Sequence, residues 1–199
     1  IKDVSPDILA VQEMGESSVF QEFQAALKEA GVHYPHTEFL IRGRSDMSLA
    51  VLSRYPIVSA QSHVSDVYSI GEAKMPVARG FIDVDIQIHS NYVFRLLVAH
   101  LKAKVFHPMG QTEMRRNEAR LLAKHLREAV KDNEQRNVMV VGDLNDSFQS
   151  AAMREILGRR GRFMFDIRPT DEYGDVWTHF SGEDDSYSRI DYMLVNANM

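Results

Sequence analysis

Asp143, Asn145 and Asp146 stand close together in the stretch Asn137-Val-Met-Val-Val-Gly-Asp-Leu-Asn-Asp146. A carboxylate and an amide two residues apart in an extended segment project from the same side of the chain. That pairing suits a hard metal ion, a water molecule or a phosphate oxygen. The run Val138 to Val141 is apolar and short, as in a strand buried on both faces, and Gly142 lets the chain turn at its end. Strand carboxyl ends in α/β sheets commonly open into a site. Gly, Asn and Asp are also the usual turn formers, so this stretch alone admits a plain polar turn.

The same layout recurs along the chain. The apolar Ile8–Val11 run ends in Gln12 and Glu13, Tyr92–Ala99 ends at His100, and a last strand over Arg189–Val195 carries Asp191. Acids, an amide and an imidazole on several strand ends suggest a shared rim. That inventory fits metal-assisted hydrolysis better than serine or cysteine nucleophiles.

The elements that must hold this rim are legible. Ser18 with Gln21 fits a capping box, and Phe20, Phe23, Leu27 and Ala30 keep helical spacing up to Gly31. Ser48–Ser53 reads as a strand followed by a Tyr55-Pro56 turn. Strict alternation of Ile82, Val84, Ile86 and Ile88 with Asp83, Asp85 and Gln87 predicts a half-solvated strand. From Gln111 to Lys131 an amphipathic helix turns Met114, Leu122, Leu126 and Val130 inward. It is expected on the outside, with Arg115, Arg116 and Arg120 on its surface, away from the site. A short helix follows over Ala151–Leu157, then an acidic stretch from Asp166 to Ser188 containing Tyr173, Trp177 and Phe180. Strands in neighbouring pairs with few helices between them indicate a mixed sheet or two sheets.

Composition sets outer bounds. The 199 residues are 44% hydrophobic and 26% charged, the balance of a soluble globular chain. A net charge of −5 supplies no global basic field for nucleic acid. The absence of cysteine excludes disulfides and thiolate metal sites. No apolar run reaches transmembrane length.

Five segments, in order, resemble the endonuclease/exonuclease/phosphatase superfamily. Pro6-Asp-Ile-Leu-Ala-Val-Gln-Glu13 is similar to its metal-glutamate motif, and Ser48-Leu-Ala-Val-Leu-Ser-Arg-Tyr-Pro56 to its second core strand. Val98-Ala-His-Leu-Lys-Ala103 resembles the histidine strand and Gly142-Asp-Leu-Asn-Asp146 the Gly-Asp-x-Asn signature. Ser188-Arg-Ile-Asp-Tyr-Met-Leu194 resembles the late-strand aspartate motif. The resemblance implies a DNase I-like fold, a four-layer α-β-β-α sandwich of two mixed sheets flanked by helices. Such domains usually open with a strand bearing an asparagine and close with Ser-Asp-His. Residues 1–199 are therefore expected to be one domain trimmed at both ends.

The resemblance also implies roles. Glu13 would hold Mg²⁺ or Mn²⁺, and Asp143 would orient or deprotonate the attacking water. Asn145 would bond that water or a phosphate oxygen, and His100 would donate to a non-bridging oxygen. Asp191 matches the residue that orients the late histidine, or else pairs with Arg189. Arg79 resembles a phosphate-contacting arginine, with a surface salt bridge as the alternative; Lys102 would meet phosphate or only solvent. Asp146 would support the site or cap the next helix, while His107, His125 and His179 read as structural.

The implied reaction is hydrolysis of a phosphodiester or phosphomonoester by water, in a protein expected to be monomeric. Nucleic acid, inositol phosphate and phospholipid head groups are all candidate substrates. Two rivals stand beside it. One is a non-catalytic binding module on the same fold. The other is a haloacid-dehalogenase-type phosphatase using Asp83 as nucleophile, which the strict alternation around Asp83 opposes.

Overall fold

Leu49-Ala-Val-Leu-Ser53 is apolar at nearly every position and buried along its whole length, as only a central strand allows. The computed structural model describes residues 1–42 and 46–199. It begins with β1 (Ile8–Val11), helix α1 (Ser17–Glu29), β2 (His36–Leu40) and β3 (Leu49–Ser53). β3 lies between β1 and β2 and pairs antiparallel with both.

The second sheet starts with β4 (Ile57–Ala60). A small hairpin of β5 (Val67–Ile70) and β6 (Ala73–Pro76) precedes β7 (Phe81–His89) and β8 (Tyr92–Ala99). Helix α2 (Gln111–Lys131) then carries the chain across to β9 (Asn137–Asp143), which lies parallel to β8. A parallel pair requires such a crossover. Next come α3 (Ala151–Leu157), β10 (Phe165–Asp166), the hairpin β11 (His179–Ser181) and β12 (Ser186–Ser188), and β13 (Asp191–Val195). The sheet order is β10-β13-β9-β8-β7-β4.

Three apolar clusters define the layers. Phe20 and Leu27 of α1 pack on Ala50 and Leu52. Leu49 and Val51 meet Ile82, Ile86, Leu96 and Val98 between the sheets. Leu122 and Leu126 of α2, with Met153 and Ile156 of α3, cover Leu97, Val138, Val140 and Leu194. The result is the expected α-β-β-α sandwich. Val130 packs against the last cluster from a half-buried position.

Three local expectations fail for physical reasons. Helix α1 starts at Ser17 after Glu16 and has no side-chain cap, so Ser18 lies within the first turn and forms no capping box. The β9 run is buried on one face only: Val138 and Val140 are covered by helices, whereas Met139 and Val141 are half-buried. The three-stranded sheet is narrower than its partner, leaving a cavity of about 400 Å³ beside Ile8, Ala10, Met139 and Val141. Finally, β7 is not half-solvated. Asp83 is 1% exposed, clamped by Arg95 Nε (2.5 Å) and Nη2 (2.7 Å) and by His63 Nε2 (2.9 Å). The alternation records two faces of different chemistry, both covered. Among the described residues no helix is long and apolar enough to cross a membrane.

Candidate active site

Gly142 determines how close the two parallel strands can come. Its φ is +138°, and a Cβ there would lie 2.0 Å from the Ala99 carbonyl oxygen. Only glycine permits that approach. The approach places His100, one residue past β8, beside Asp143 at the end of β9. His100 Nε2 is 3.6 Å from Asp143 Oδ2 and 3.9 Å from Glu13 Oε1.

Each partner is held by its own backbone. Glu13, after β1, has φ +56°, an uncommon region for a residue with a side chain. The adjoining amides fix the bend, Met14 N–H donating to Ser48 O and Gly15 N–H to Asp46 O. The Glu13 side chain remains 60% exposed. Asn145 also has positive φ (+53°); its N–H donates to Asp143 Oδ1 (2.7 Å) and its Nδ2 to Leu101 O (2.9 Å). Asp191 begins β13 directly opposite Asp143 in the antiparallel register. Leu101 O also accepts from Arg79 Nη1 (3.0 Å), and Leu101 N–H donates to Asp143 O (3.0 Å). One backbone carbonyl thus ties Arg79 and Asn145 to the strand end that carries His100.

The charges are unbalanced. Asp143 is pushed up to about 6, first by burial and then by Asp191, with Glu13 adding a smaller push. The Asn145 N–H and Arg79 offset only part of this. His100 is drawn down to about 4, mainly by burial and then by Arg79, so its imidazole is neutral near pH 7. Three carboxylates beside a neutral imidazole form a hard oxygen set with excess negative charge, the chemistry that suits a divalent cation. The donors present therefore fit such an ion.

The structure brings Glu13, His100, Asp143, Asn145 and Asp191 to one rim, with Arg79 bound to its backbone. Lys102 is half-buried next to them, its N–H donating to Glu118 Oε2 (2.7 Å). Arg189 does not pair with Asp191. It grips Asp166 through two contacts of 2.6 Å, and Asp191 N–H donates to Thr178 Oγ1 instead. Asp146 does not cap α3; Ser150 does, accepting from Met153 N–H. Asp146 receives Arg115 Nε at 2.9 Å.

Sequence reasoning missed what α2 contributes. Arg115 is 2% exposed and bonds Asp146 and Lys102 O, so it is no surface cation. Arg116 and Arg120 do lie further out, both on Glu155. Glu118, also buried, accepts from Ala78 N–H (2.9 Å) and Lys102 N–H (2.7 Å), and burial pushes its carboxyl upward. It thereby joins the segments carrying Arg79 and Lys102. The signal was present: Met114, Glu118, Leu122 and Leu126 share a four-residue spacing, which places a glutamate on the inward stripe. Asp83, with Arg95 and His63 occupying its carboxylate, is no nucleophile. His107 and His179 make local polar contacts, whereas His125 bonds Asp66 and stacks on His63.

The model for the Endonuclease/Exonuclease/phosphatase family matches residues 1–199. The chain belongs to this family. Its members are hydrolases acting on phosphoester bonds and generally depend on a divalent metal ion. No curated protein matches the chain by sequence. Among solved structures, beta toxin from Staphylococcus aureus superposes with a TM-score of 0.70 at 15% identity, covering 96% of this chain and 73% of that one. The human nocturnin catalytic domain with bound sulfate gives 0.68 at 17% identity, over 98% and 71% of the two chains. Sphingomyelinase C from Streptomyces griseocarneus gives 0.65 at 17% identity, over 96% and 70%. At these identities the likeness establishes the DNase I-like fold of this family member.

Proposed function

We propose that this chain hydrolyses a phosphodiester or phosphomonoester by direct attack of a water molecule, with Mg²⁺ or Mn²⁺ held at Glu13. The observation that carries the reading is the meeting of His100 with Asp143 and Glu13, at 3.6 and 3.9 Å, across three strand ends. The bound ion would neutralise phosphate charge, and Glu13 with the neighbouring acids would hold it.

The chain's own groups account for the remaining steps. Asp143, raised to about 6, is ionised near neutral pH yet basic enough to orient a water and accept its proton. Asn145 turns its amide beside that carboxylate and bonds the water or a phosphate oxygen. Neutral His100 keeps an N–H to donate to a non-bridging oxygen, stabilising charge as it develops. The Arg79 guanidinium adds a fixed positive charge next to His100 and Asp143, and Lys102 contributes at the rim. Asp191, opposite Asp143, adds to the negative field of the acids. No covalent enzyme intermediate is required.

Hydrolysis of bis-p-nitrophenyl phosphate, p-nitrophenyl phosphate and plasmid DNA, each with Mg²⁺, Mn²⁺ or EDTA, tests the reading. Turnover is expected only with metal. Asp143→Asn is expected to lose about 10²–10⁴-fold, the usual worth of a positioned base. The preferred substrate then identifies the branch. Metal-independent turnover, or an Asp143→Asn variant as active as the parent, would overturn the mechanism. Absence of turnover with the ion shown to bind would favour a binding module.

A further inference from the structure

His63, Asp66 and His125 each place a ligand-type atom within 4.8 Å of the others. None belongs to the site above. His63 bridges Phe81 on one side of β7, while Ala99 and β8 lie on the other. Two strand spacings, about 10 Å, therefore separate His63 from Ala99 across the sheet. We propose that His63, Asp66 and His125 form a second cation site, selective for a divalent transition ion of the zinc class and structural in role.

The donor set argues for the class of ion. Two imidazole nitrogens with one carboxylate suit zinc, cobalt or nickel, whereas Mg²⁺ and Ca²⁺ favour oxygen ligands. The outer contacts follow the carboxylate–histidine–metal pattern. His63 Nε2 is 2.9 Å from Asp83 Oδ2. A neutral His63 donating there keeps its lone pair on Nδ1. His125 Nε2 is 2.5 Å from Asp66 Oδ2, and its Nδ1 faces Glu128 Oε2 at 3.4 Å. That Nδ1 is buried and makes no hydrogen bond, in a side chain 7% exposed.

The ligand atoms are close enough for one ion once the two stacked imidazoles tilt so that their in-plane lone pairs converge. Ligand atoms on a tetrahedral zinc stand about 3.4 Å apart for bonds of about 2.1 Å. An ion replacing the proton shared by His125 and Asp66 would widen their contact by about 1 Å. Asp83 is already balanced by Arg95, and Glu128 meets Lys124 Nζ at 3.7 Å, whereas among the described residues Asp66 pairs only with His125. A divalent ion would neutralise Asp66, with the second carboxylate of Glu128 nearby. A cleft of about 380 Å³ beside His63 and His125 has room for a water to complete the coordination.

The segment bearing two of the ligands is already ordered. His63 and Phe81 exchange backbone hydrogen bonds of 2.8 and 2.9 Å, and Asp66 O accepts from Val77 N–H (2.9 Å). His63 and His125 lie parallel, 3.6 Å between ring centres. The ion would pin the β4–β5 connection to α2, joining residues 59 apart in sequence.

Zn²⁺ and Co²⁺ binding to the intact chain, under excess Mg²⁺, tests this. One tightly bound Zn²⁺ is expected, raising Tm by about 5–10 °C at a hundredfold excess over Kd. Asp66→Asn, at a half-exposed position, and His63→Gln should each weaken binding at least about tenfold. The double variant Glu13→Gln/Asp143→Asn should bind Zn²⁺ as the parent does. The Co²⁺ complex should show the visible absorption of a nitrogen/oxygen site of low coordination number, lost in Asp66→Asn. The proposal fails if Zn²⁺ neither binds nor raises Tm. It also fails if binding survives Asp66→Asn, or disappears in Glu13→Gln/Asp143→Asn.

Discussion

Replacing Asp143 by Asn should stabilise the metal-free protein at neutral pH while removing its activity. The Asp143 carboxyl lies near 6 in the fold, against 3.8 as its ordinary value. An acid raised on folding is bound more tightly by protons in the native state. Its contribution to stability is therefore complete below about pH 4 and is lost as pH rises through about 6. A shift of about two units corresponds to about 3 kcal/mol. The side chain is 20% exposed, so about 1–3 kcal/mol is the working range. Asn cannot ionise, and its Oδ1 can still accept the Asn145 N–H.

The parent's own pH profile would hide this effect. His100 is drawn from 6.5 to about 4, so its contribution is present above about pH 6.5 and is lost as pH falls toward 4. The two groups oppose each other over the same window, and only the difference between parent and variant isolates Asp143. Thermal unfolding in EDTA at about pH 4 and about pH 8 is the assay. Little difference is expected at the acid end, and a Tm about 3–10 °C higher for Asp143→Asn at the alkaline end. Saturating Mg²⁺ should shrink that gap, because a bound cation relieves the repulsion in the parent. A variant less stable than the parent at both pH values would refute the electrostatic reasoning.

Two further substitutions test the scaffold. Gly142→Ala places a methyl 2.0 Å from the Ala99 carbonyl oxygen at φ +138°, so β8 and β9 must separate; a loss of about 3 kcal/mol or more, measured by denaturant unfolding, is expected together with loss of phosphoesterase activity. Glu118→Gln keeps shape but turns an amide N–H₂ toward one of the two backbone donors it now accepts, at Ala78 or Lys102. The expected cost is about 1–3 kcal/mol, read in the same assay, and an unchanged midpoint would mean that the native carboxyl already carries a proton.

Most of the candidate site was legible from local sequence because its residues lie at or just beyond strand ends. A buried apolar run followed by an acid, amide or histidine announces both the strand and the position of its polar end. That logic singles out Glu13, His100, Asp143 and Asn145 as candidates, while Asp191 is a polar residue at the start of the last strand. It also yielded the extents of α2 and α3, since periodicity is a property of neighbouring residues, whereas the two-sheet sandwich came from the family resemblance.

What local pattern could not decide was which surfaces would be covered. Asp83 alternates with apolar neighbours as a solvated residue would, yet Arg95 and His63 close over it. Arg115 reads as a helix-surface charge, but α2 packs it and Glu118 against the loops holding Asp146, Ala78 and Lys102. His125 carried no sequence partner because Asp66 lies 59 residues away. Burial and ion pairing depend on partners brought together only by the packed layers. The chain's sequence determined the family, the strand ends and their chemistry. The tertiary structure decided which charges are compensated, and so how Asp143 and His100 are tuned.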